Sequence, residues 1–329
     1  MLGTCAYMAV ISSMFSNHRE KMENKNKLFQ IAMSVTDINR TIKFYNDILG
    51  FVPFKKPQKL KGIIPSRIQG YKKVNALICW MNDANPSFQL EFFQYFNPPA
   101  RPMSGSARPC DIGYSRMGIW VADFDGIMHR LKENRIPLIT VPIKFGDGRR
   151  VCFRDPDGVY LELMEKPVMT SSPLNQNARA ATQSVTLCVP DLKQAEGFFV
   201  DVLGMERSDV VLHTPEMESL WGLAGAETKS SLLKSGNILF ELVEYLNPRG
   251  RPMRHDRHIG DAGLWHIAVL FTRRKDFMDC YRRALVAGHS SYSKPVCFGF
   301  MNFVYMKSSQ GFTVEFAHFS QKMGRFMGI

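Results

Sequence analysis

Two fourteen-residue segments of this chain are near copies of one another. LEFFQYFNPPARPM begins at Leu90 and FELVEYLNPRGRPM at Phe240. Glu91, Tyr95, Asn97, Pro98, Arg101, Pro102 and Met103 recur 150 residues later as Glu241, Tyr245, Asn247, Pro248, Arg251, Pro252 and Met253. A period of that length is a whole domain rather than a solenoid repeat. The 329 residues suffice for two domains, each with its own core. Such a duplicated chain can be read by comparing its halves. Agreement marks what the fold needs; disagreement at a site marks chemistry that only one half has kept.

Each half divides again. Four segments share a strand, a capping residue and an amphipathic helix: they start at Gln30, Arg116, Ser184 and His266. Asp37, Asp123, Asp191 and Thr272 stand where a helix N-cap is needed, their oxygens free to accept the orphan N–H groups of the first turn. Ile38, Thr41, Ile42, Tyr45, Ile48 and Leu49 recur at helical spacing, as do Leu192, Ala195, Phe198, Phe199, Val202 and Leu203. Shorter strands follow each helix and end in FQLEFFQYF, YLELMEK, LFELVEY and FTVEFAHF. The pattern predicts an α+β fold of four βαβββ modules in two pairs. The expected limits are an N-terminal extension over 1–27, a first pair over 28–167, a linker over 168–181, a second pair over 182–320 and a tail over 321–329.

Side chains alternate across a strand, so the leading strands have two distinct faces. Ile31, Met33 and Val35 would pack on the helix, with Gln30, Ala32 and Ser34 opposite. The third and fourth modules repeat this with Val185, Leu187 and Val189 against Ser184, Thr186 and Cys188, and with Ile267, Val269 and Phe271 against His266, Ala268 and Leu270. Small or polar residues on the second face suit a concave sheet lining a cavity. The second module places Arg116, Gly118 and Trp120 there, a bulkier and charged set. Each module thus offers two cavity positions. The strand heads are Gln30, Arg116, Ser184 and His266; the final strands offer Glu91, Glu162, Glu241 and Glu315. A carboxylate between apolar neighbours in a sheet needs a partner.

These marks resemble the vicinal oxygen chelate superfamily of glyoxalase I, methylmalonyl-CoA epimerase, extradiol dioxygenases and bleomycin- or fosfomycin-resistance proteins. DINRTIKFYNDILGF, FRDPDGVYLELMEK and DLKQAEGFFVDVLGM carry the resemblance, which runs from about residue 28 to 320. It implies paired βαβββ modules with metal ligands at the positions just named. Two partitions are open. Crossed pairing of modules gathers Gln30, Glu91, His266 and Glu315, which is similar to the Gln/Glu/His/Glu set of eukaryotic-type glyoxalase I. It leaves Ser184, Glu241, Arg116 and Glu162 as a degenerate site, because an arginine repels a divalent ion. Uncrossed pairing gathers Ser184, Glu241, His266 and Glu315 instead, and sets Gln30 beside Arg116. His266 and Glu315 belong to the metal site in both.

Such ligands suit one divalent ion (Zn, Ni, Co, Mn or Fe) acting as a Lewis acid. The resemblance implies an isomerase, epimerase or lyase that removes a proton beside a carbonyl, with Glu315 as principal base and Glu91 returning the proton on the opposite face. A ring-cleaving Fe(II) dioxygenase needs two histidines and one carboxylate, and Gln30 stands where the first histidine would be. A metal-free binding protein of the resistance type is the third alternative. The formal charge of +12 suits a small anionic substrate, and Arg101, Arg251 and Arg254, with Arg108, are candidates to bind it. The same arginines also read as parts of a structural turn. No nucleic-acid module is present, and the apolar stretch LGTCAYMAVISSMF is too short to span a bilayer. Seven scattered cysteines without a C-x-x-C pair fit a reduced, cytoplasmic protein. Duplication leaves both monomer and homodimer open.

Overall fold

The computed structural model describes residues 26–85, 88–169 and 179–319. The N-terminal extension through residue 25, linker residues 170–178 and the expected tail lie outside them. The first module runs β1 (Lys27–Ser34), α1 (Ile38–Leu49), β2 (Val52–Pro53), β3 (Gln58–Lys61), α2 (Ile63–Ile68), β4 (Asn75–Asn82) and β5 (Gln89–Asn97). The second runs β6 (Gly113–Val121), α3 (Phe124–Glu133), β7 (Ile143–Phe145), β8 (Gly148–Arg154) and β9 (Tyr160–Met164). The third has β10 (Ala180–Cys188), α4 (Leu192–Glu196), a π-helical turn (Gly197–Val202), β11 (Glu206–Arg207), a 3-10 helix (Pro215–Trp221), β12 (Glu227–Ser235) and β13 (Ile238–Asn247). The fourth has β14 (Gly263–Phe271), α5 (Arg274–Val286), β15 (Ser290–Ser291), β16 (Val296–Phe298), β17 (Met301–Lys307) and β18 (Thr313–His318).

The strands form a 10-stranded and an 8-stranded sheet, and neither follows the sequence halves. β1 pairs antiparallel with β14, joining the first and fourth modules. β10 pairs antiparallel with β6, joining the third and second. Both seams are centred on matching residues: Ile31 faces Ile267, and Val185 faces Met117. Each sheet therefore has a pseudo-twofold axis through its centre. Gln30 corresponds to His266 and Glu91 to Glu315 in one sheet; Ser184 corresponds to Arg116 and Glu241 to Glu162 in the other.

The helix-facing residues of all four leading strands meet in one continuous core. Ile31, Met33, Val35, Val185, Leu187, Val189, Ile267, Val269 and Phe271 lie in it as the alternation predicts, joined by Met117, Ile119 and Val121. Tyr45, Ile127, Phe199 and Phe277 come from the helical segments. Full burial of one such side chain contributes roughly 1.5–3 kcal/mol, so truncating Phe277 at the base of α5 would be felt throughout. Asp37, Asp123 and Asp191 cap their helices through their side chains. The fourth cap differs from expectation: α5 starts one residue later, with Arg273 at the N-cap and no side-chain cap bond. The third helix also departs from a plain α-helix. Its wider π turn brings the adjacent Phe198 and Phe199 into the core together.

The DPDG turn before β9 is gripped by α1. Asp157 accepts from Thr36, Arg40 and Thr41, and Tyr45 donates to Asp155 at 3.1 Å. The SSQG turn before β18 makes a neutral counterpart, with Gln310 donating to the Asp191 carbonyl at 2.9 Å. Gly158 and Gly311 in these turns have φ of 96° and 93°. A Cβ on either would press on Met103 or Met253, the methionines of the repeated RPM segment. No helix among the described residues is long and apolar enough to cross a membrane.

Candidate metal centre

The 10-stranded sheet brings Glu91, His266 and Glu315 together on its concave face. One ligand atom from each lies within 4.8 Å of the other two. The strand register explains why. His266 pairs with Ala32 across the central seam, Ala32 pairs with Glu91 in parallel β5, and Ala268, two residues beyond His266, pairs with Glu315 in β18. His266 Nε2 is 3.1 Å from Glu315 Oε2 and 3.8 Å from Glu91 Oε2. Gln30 is buried on the same face, and its amide NH2 donates to Gln89 Oε1 at 3.4 Å. The crossed set is thus the one that shares a sheet. The uncrossed set is divided between the two sheets, with Ser184 and Glu241 in the 8-stranded one.

Aromatic side chains frame the cluster. Trp80 and Tyr305 stand directly across the strands from Glu91 and Glu315. Trp80 Nε1 donates to Glu91 Oε1 at 2.9 Å, and the Tyr305 ring lies 4.8 Å from the His266 ring. Phe93, Tyr95 and Ile259 continue the wall. The segment after α2 lies over it: Tyr71 belongs to the same cluster and its hydroxyl accepts from Ile259 N–H.

Sealing leaves the ligands at odds with their surroundings. His266 is 1% exposed, Glu91 6% and Glu315 7%. Burial, the largest influence, pushes Glu91 up to about 8, with help from Glu315; His266 and the Trp80 hydrogen bond pull the other way. Burial also lifts Glu315 to about 8 and draws His266 down to about 4. Glu91 Oε2 and His266 Nδ1 are buried without hydrogen-bond partners. Two acidic side chains and a neutral imidazole thus face each other. A divalent ion fits that donor set, since it satisfies the orphaned carboxylate oxygen and favours the ionised form of both acids.

The 8-stranded sheet holds the corresponding residues, and they are fully engaged. Arg116 Nη2 donates to Glu241 Oε2 at 3.1 Å, and Thr186 Oγ1 donates to the same oxygen at 2.7 Å. His213 bridges the two carboxylates, at 2.7 Å from Glu241 and 2.8 Å from Glu162. Arg150 reaches Glu162 at 2.9 Å. The Arg116 guanidinium lies over the Trp221 ring, 3.9 Å from its centroid. Burial alone would neutralise these groups, but pairing reverses it. His213 and then Arg116 hold Glu241 down to about 2. His213 and Arg150 keep Glu162 below its ordinary value, and the two carboxylates lift His213 to about 9. Ser184 is buried beside this network. Two of its cations, Arg150 and His213, were not legible beforehand. Arg150, in FGDGRR, reads from the sequence only as a weak candidate to bind an anion, and His213 sits in a connection without periodicity.

Arg101, Arg251 and Arg254 are held in ion pairs. Arg101 binds Asp261 at 2.7 Å and Asp256 at 3.0 Å, Arg251 binds Asp111 at 2.6 Å, and Arg254 binds Asp256 at 2.7 Å. Arg101 and Arg251 lock each half's repeated turn to an aspartate of the other half. In this structure their guanidinium groups are paired with aspartates of the turn segments.

Two family models match the chain, over residues 29–153 and 182–316, and both describe the Glyoxalase/Bleomycin resistance protein/Dioxygenase superfamily. A virulence protein of Salmonella typhimurium is 25% identical over 166 residues, covering 48% of this chain and 97% of that protein. A probable chloroplastic lactoylglutathione lyase of Arabidopsis thaliana is 26% identical over 185 residues, 56% of this chain; the match spans 45% of the plant protein. Among solved structures, glyoxalase I from Zea mays superposes with a TM-score of 0.60 at 17% identity, covering 92% of this chain and 95% of that one. A putative dioxygenase from Bacillus subtilis gives the same score and identity, covering 92% and 91%. These two structures share the fold. With both halves matched and the modules repeated in space, the chain belongs to the glyoxalase/bleomycin resistance protein/dioxygenase superfamily as an internally duplicated, two-domain member.

Proposed function

We propose that this protein is a divalent-metal-dependent isomerase, epimerase or lyase acting on a small carbonyl compound. Gln30, Glu91, His266 and Glu315 would hold the ion. The observation that carries the reading is the convergence of Glu91, His266 and Glu315 within 4.8 Å, with one carboxylate oxygen left unsatisfied. The bound ion would polarise the substrate carbonyl as a Lewis acid. The residues of the chain do the rest. Glu315 takes the proton from the carbon beside the carbonyl, and Glu91, whose strand lies on the other side of β14 in the sheet, returns it. Trp80 fixes the orientation of Glu91. The aromatic wall keeps water from the carbanion-like transition state. A carboxylate whose pKa has been raised toward neutrality is a competent proton acceptor at the pH of the cell.

Likeness to glyoxalase I and to a probable lactoylglutathione lyase supports this class of reaction. The dioxygenase alternative is weaker, because the cluster contains one histidine rather than two. Metal analysis of protein purified without added metal tests the proposal. Near one divalent ion per chain, lost in His266→Ala, is the expected result. Solvent deuterium entering a carbonyl substrate would then identify proton transfer. A wild-type protein that neither contains nor takes up a divalent ion would return the chain to the binding-protein reading.

A further inference from the structure

The two duplicated sites differ at one further pair of positions. In the fourth module a β-bulge interrupts the seam: Ala32 pairs with His266 and Met33 with Leu264, so Trp265 is the extra residue. The bulge turns Trp265 to the cavity side, where it packs with the cluster of Ile259, Tyr71 and Tyr95. Its indole Nε1 is buried and has no hydrogen-bond partner. The Arg257 guanidinium lies over its ring, 4.7 Å from the centroid. The second module has the same bulge at Ser115. At the offset of 150 residues, Trp265 corresponds to Ser115 and Arg257 to Ala107. At these two positions the fourth module therefore has the arginine and the tryptophan, and the second module has neither.

Arg257 is also unlike the buried arginines of the other sheet. Arg116 and Arg150 each face a glutamate. Arg257 is half-buried and has no ion pair among the described residues. Among the described residues its N–H groups reach the Leu264 carbonyl at 2.9 Å and Met253 Sδ at 3.2 Å. Asp261 acts on it through space, as do Tyr292 and Tyr114, but the carboxylate of Asp261 is held by Arg101. Tyr292 Oη lies 3.3 Å from Thr313 Oγ1, and Thr313 pairs with His266 one pleat from Glu315. A desolvated guanidinium without a counter-ion is costly. The ring it covers belongs to Trp265, whose indole N–H is orphaned and which precedes the candidate metal ligand His266 in the chain.

We propose that Arg257 and the Trp265 indole N–H form an oxyanion subsite, which takes a carboxylate or phosphate group of the substrate while the adjacent cluster takes its carbonyl. The forked guanidinium supplies two parallel donors to such a group, and the indole supplies a third. The substrate class narrows to carbonyl compounds bearing an anionic group. This deepens the metal-centre reading and rests on it for the role of the second group, although anion binding itself can be measured without metal.

The test titrates the full chain, stripped of metal, with malonate and with inorganic phosphate in separate calorimetric experiments. Saturable binding of at least one is expected, and preference between them assigns the group. Arg257→Gln should weaken it about tenfold and Trp265→Phe by less, in line with loss of a charge-assisted rather than a neutral hydrogen bond. Arg257→Lys, which keeps the charge but not the fork, should recover part of the affinity. Metal content should stay at the wild-type level in all three, and Arg257→Gln should leave the melting temperature unchanged or raised. Wild-type protein that binds neither anion, or an Arg257→Gln variant that binds them equally well, would overturn the subsite. A lowered melting temperature without a change in anion binding would also do so, making Arg257 a structural cation. If anion binding follows expectation while His266→Ala retains the metal, the subsite stands and the ligand assignment fails.

Discussion

The two concave sheet faces start from the same plan and balance charge in opposite ways. In the 8-stranded sheet, Arg116, His213 and Arg150 neutralise Glu241 and Glu162 from within the chain. In the 10-stranded sheet, Glu91 and Glu315 meet the neutral His266 and the indole N–H of Trp80. The connection that leads into the penultimate strand of the module decides much of this. In the third module it delivers His213 and the 3-10 helix with Trp221 into the chamber. In the first module the matching turn delivers Gln69, whose buried Oε1 is unsatisfied. Gly70 and Gly222 follow these residues with φ of 73° and 79°, so the two backbones turn alike while their side chains differ. One chamber has become a structural ion network. The other has kept an electrostatic deficit that a cation can fill.

Several measurements would break or sharpen this contrast. The largest effect is expected for His266→Ala, with metal content falling from near one per chain to less than about a tenth, read by elemental analysis. Arg116→Ala should keep the metal. It should still lose stability, because a buried glutamate is left short of a partner. His213→Ala removes the bridge between two buried carboxylates and should cost about 3–5 kcal/mol in chemical denaturation at neutral pH. Equal stability of the His213 variant and wild type would show that the network contributes nothing to the fold.

Dependence on pH separates the chambers more finely. Glu91 and Glu315 bind protons more tightly in the metal-free folded state than when unfolded, so they stabilise the fold at low pH. That contribution is lost as pH rises from about 4.5 through about 8. His266 acts in the reverse sense between about 4 and 6.5, which leaves the window above 6.5 free of it. His213, raised to about 9, contributes stability that is complete below 6.5 and lost as pH climbs through 9. Metal should remove the first decline and leave the second, while His213→Ala should do the opposite. Metal affinity should increase with pH up to about 8, about tenfold per unit for each proton released. A flat affinity profile would contradict the protonated state of the two acids. The smallest effect is expected for Gln30→Ala, a neutral ligand, with metal binding weakened about tenfold in a competition titration.

Much of this was legible in the residues themselves. Alternation along a strand is a local property, so the cavity-facing places of Glu91, Glu162, Glu241 and Glu315 followed from parity alone. The N-caps at Asp37, Asp123 and Asp191 were equally local. Which strands meet at the sheet centre was not, because the pairing of β1 with β14 is fixed by tertiary packing and leaves no trace in either strand. His213 and Gln69 lie in connections without periodicity, and nothing in their neighbours announces which side chain turns inward. The same holds for Trp265. Alternation places it opposite His266, and only the bulge brings it to the same side. The aspartates that pair with the repeated arginines were not legible either, because Asp261 and Asp111 come from the opposite half of the chain.

The crossed seams have a consequence for how such a chain can change. Each chamber draws on one module from either half, so the unit that varies together is a sheet and not a stretch of sequence. The inner modules can accumulate charged plugs, as Arg116 and His213 illustrate, without disturbing a single ligand in the outer pair. Neither half expressed alone would contain a complete set of Gln30, Glu91, His266 and Glu315, and two separately made halves would regain it only by finding each other.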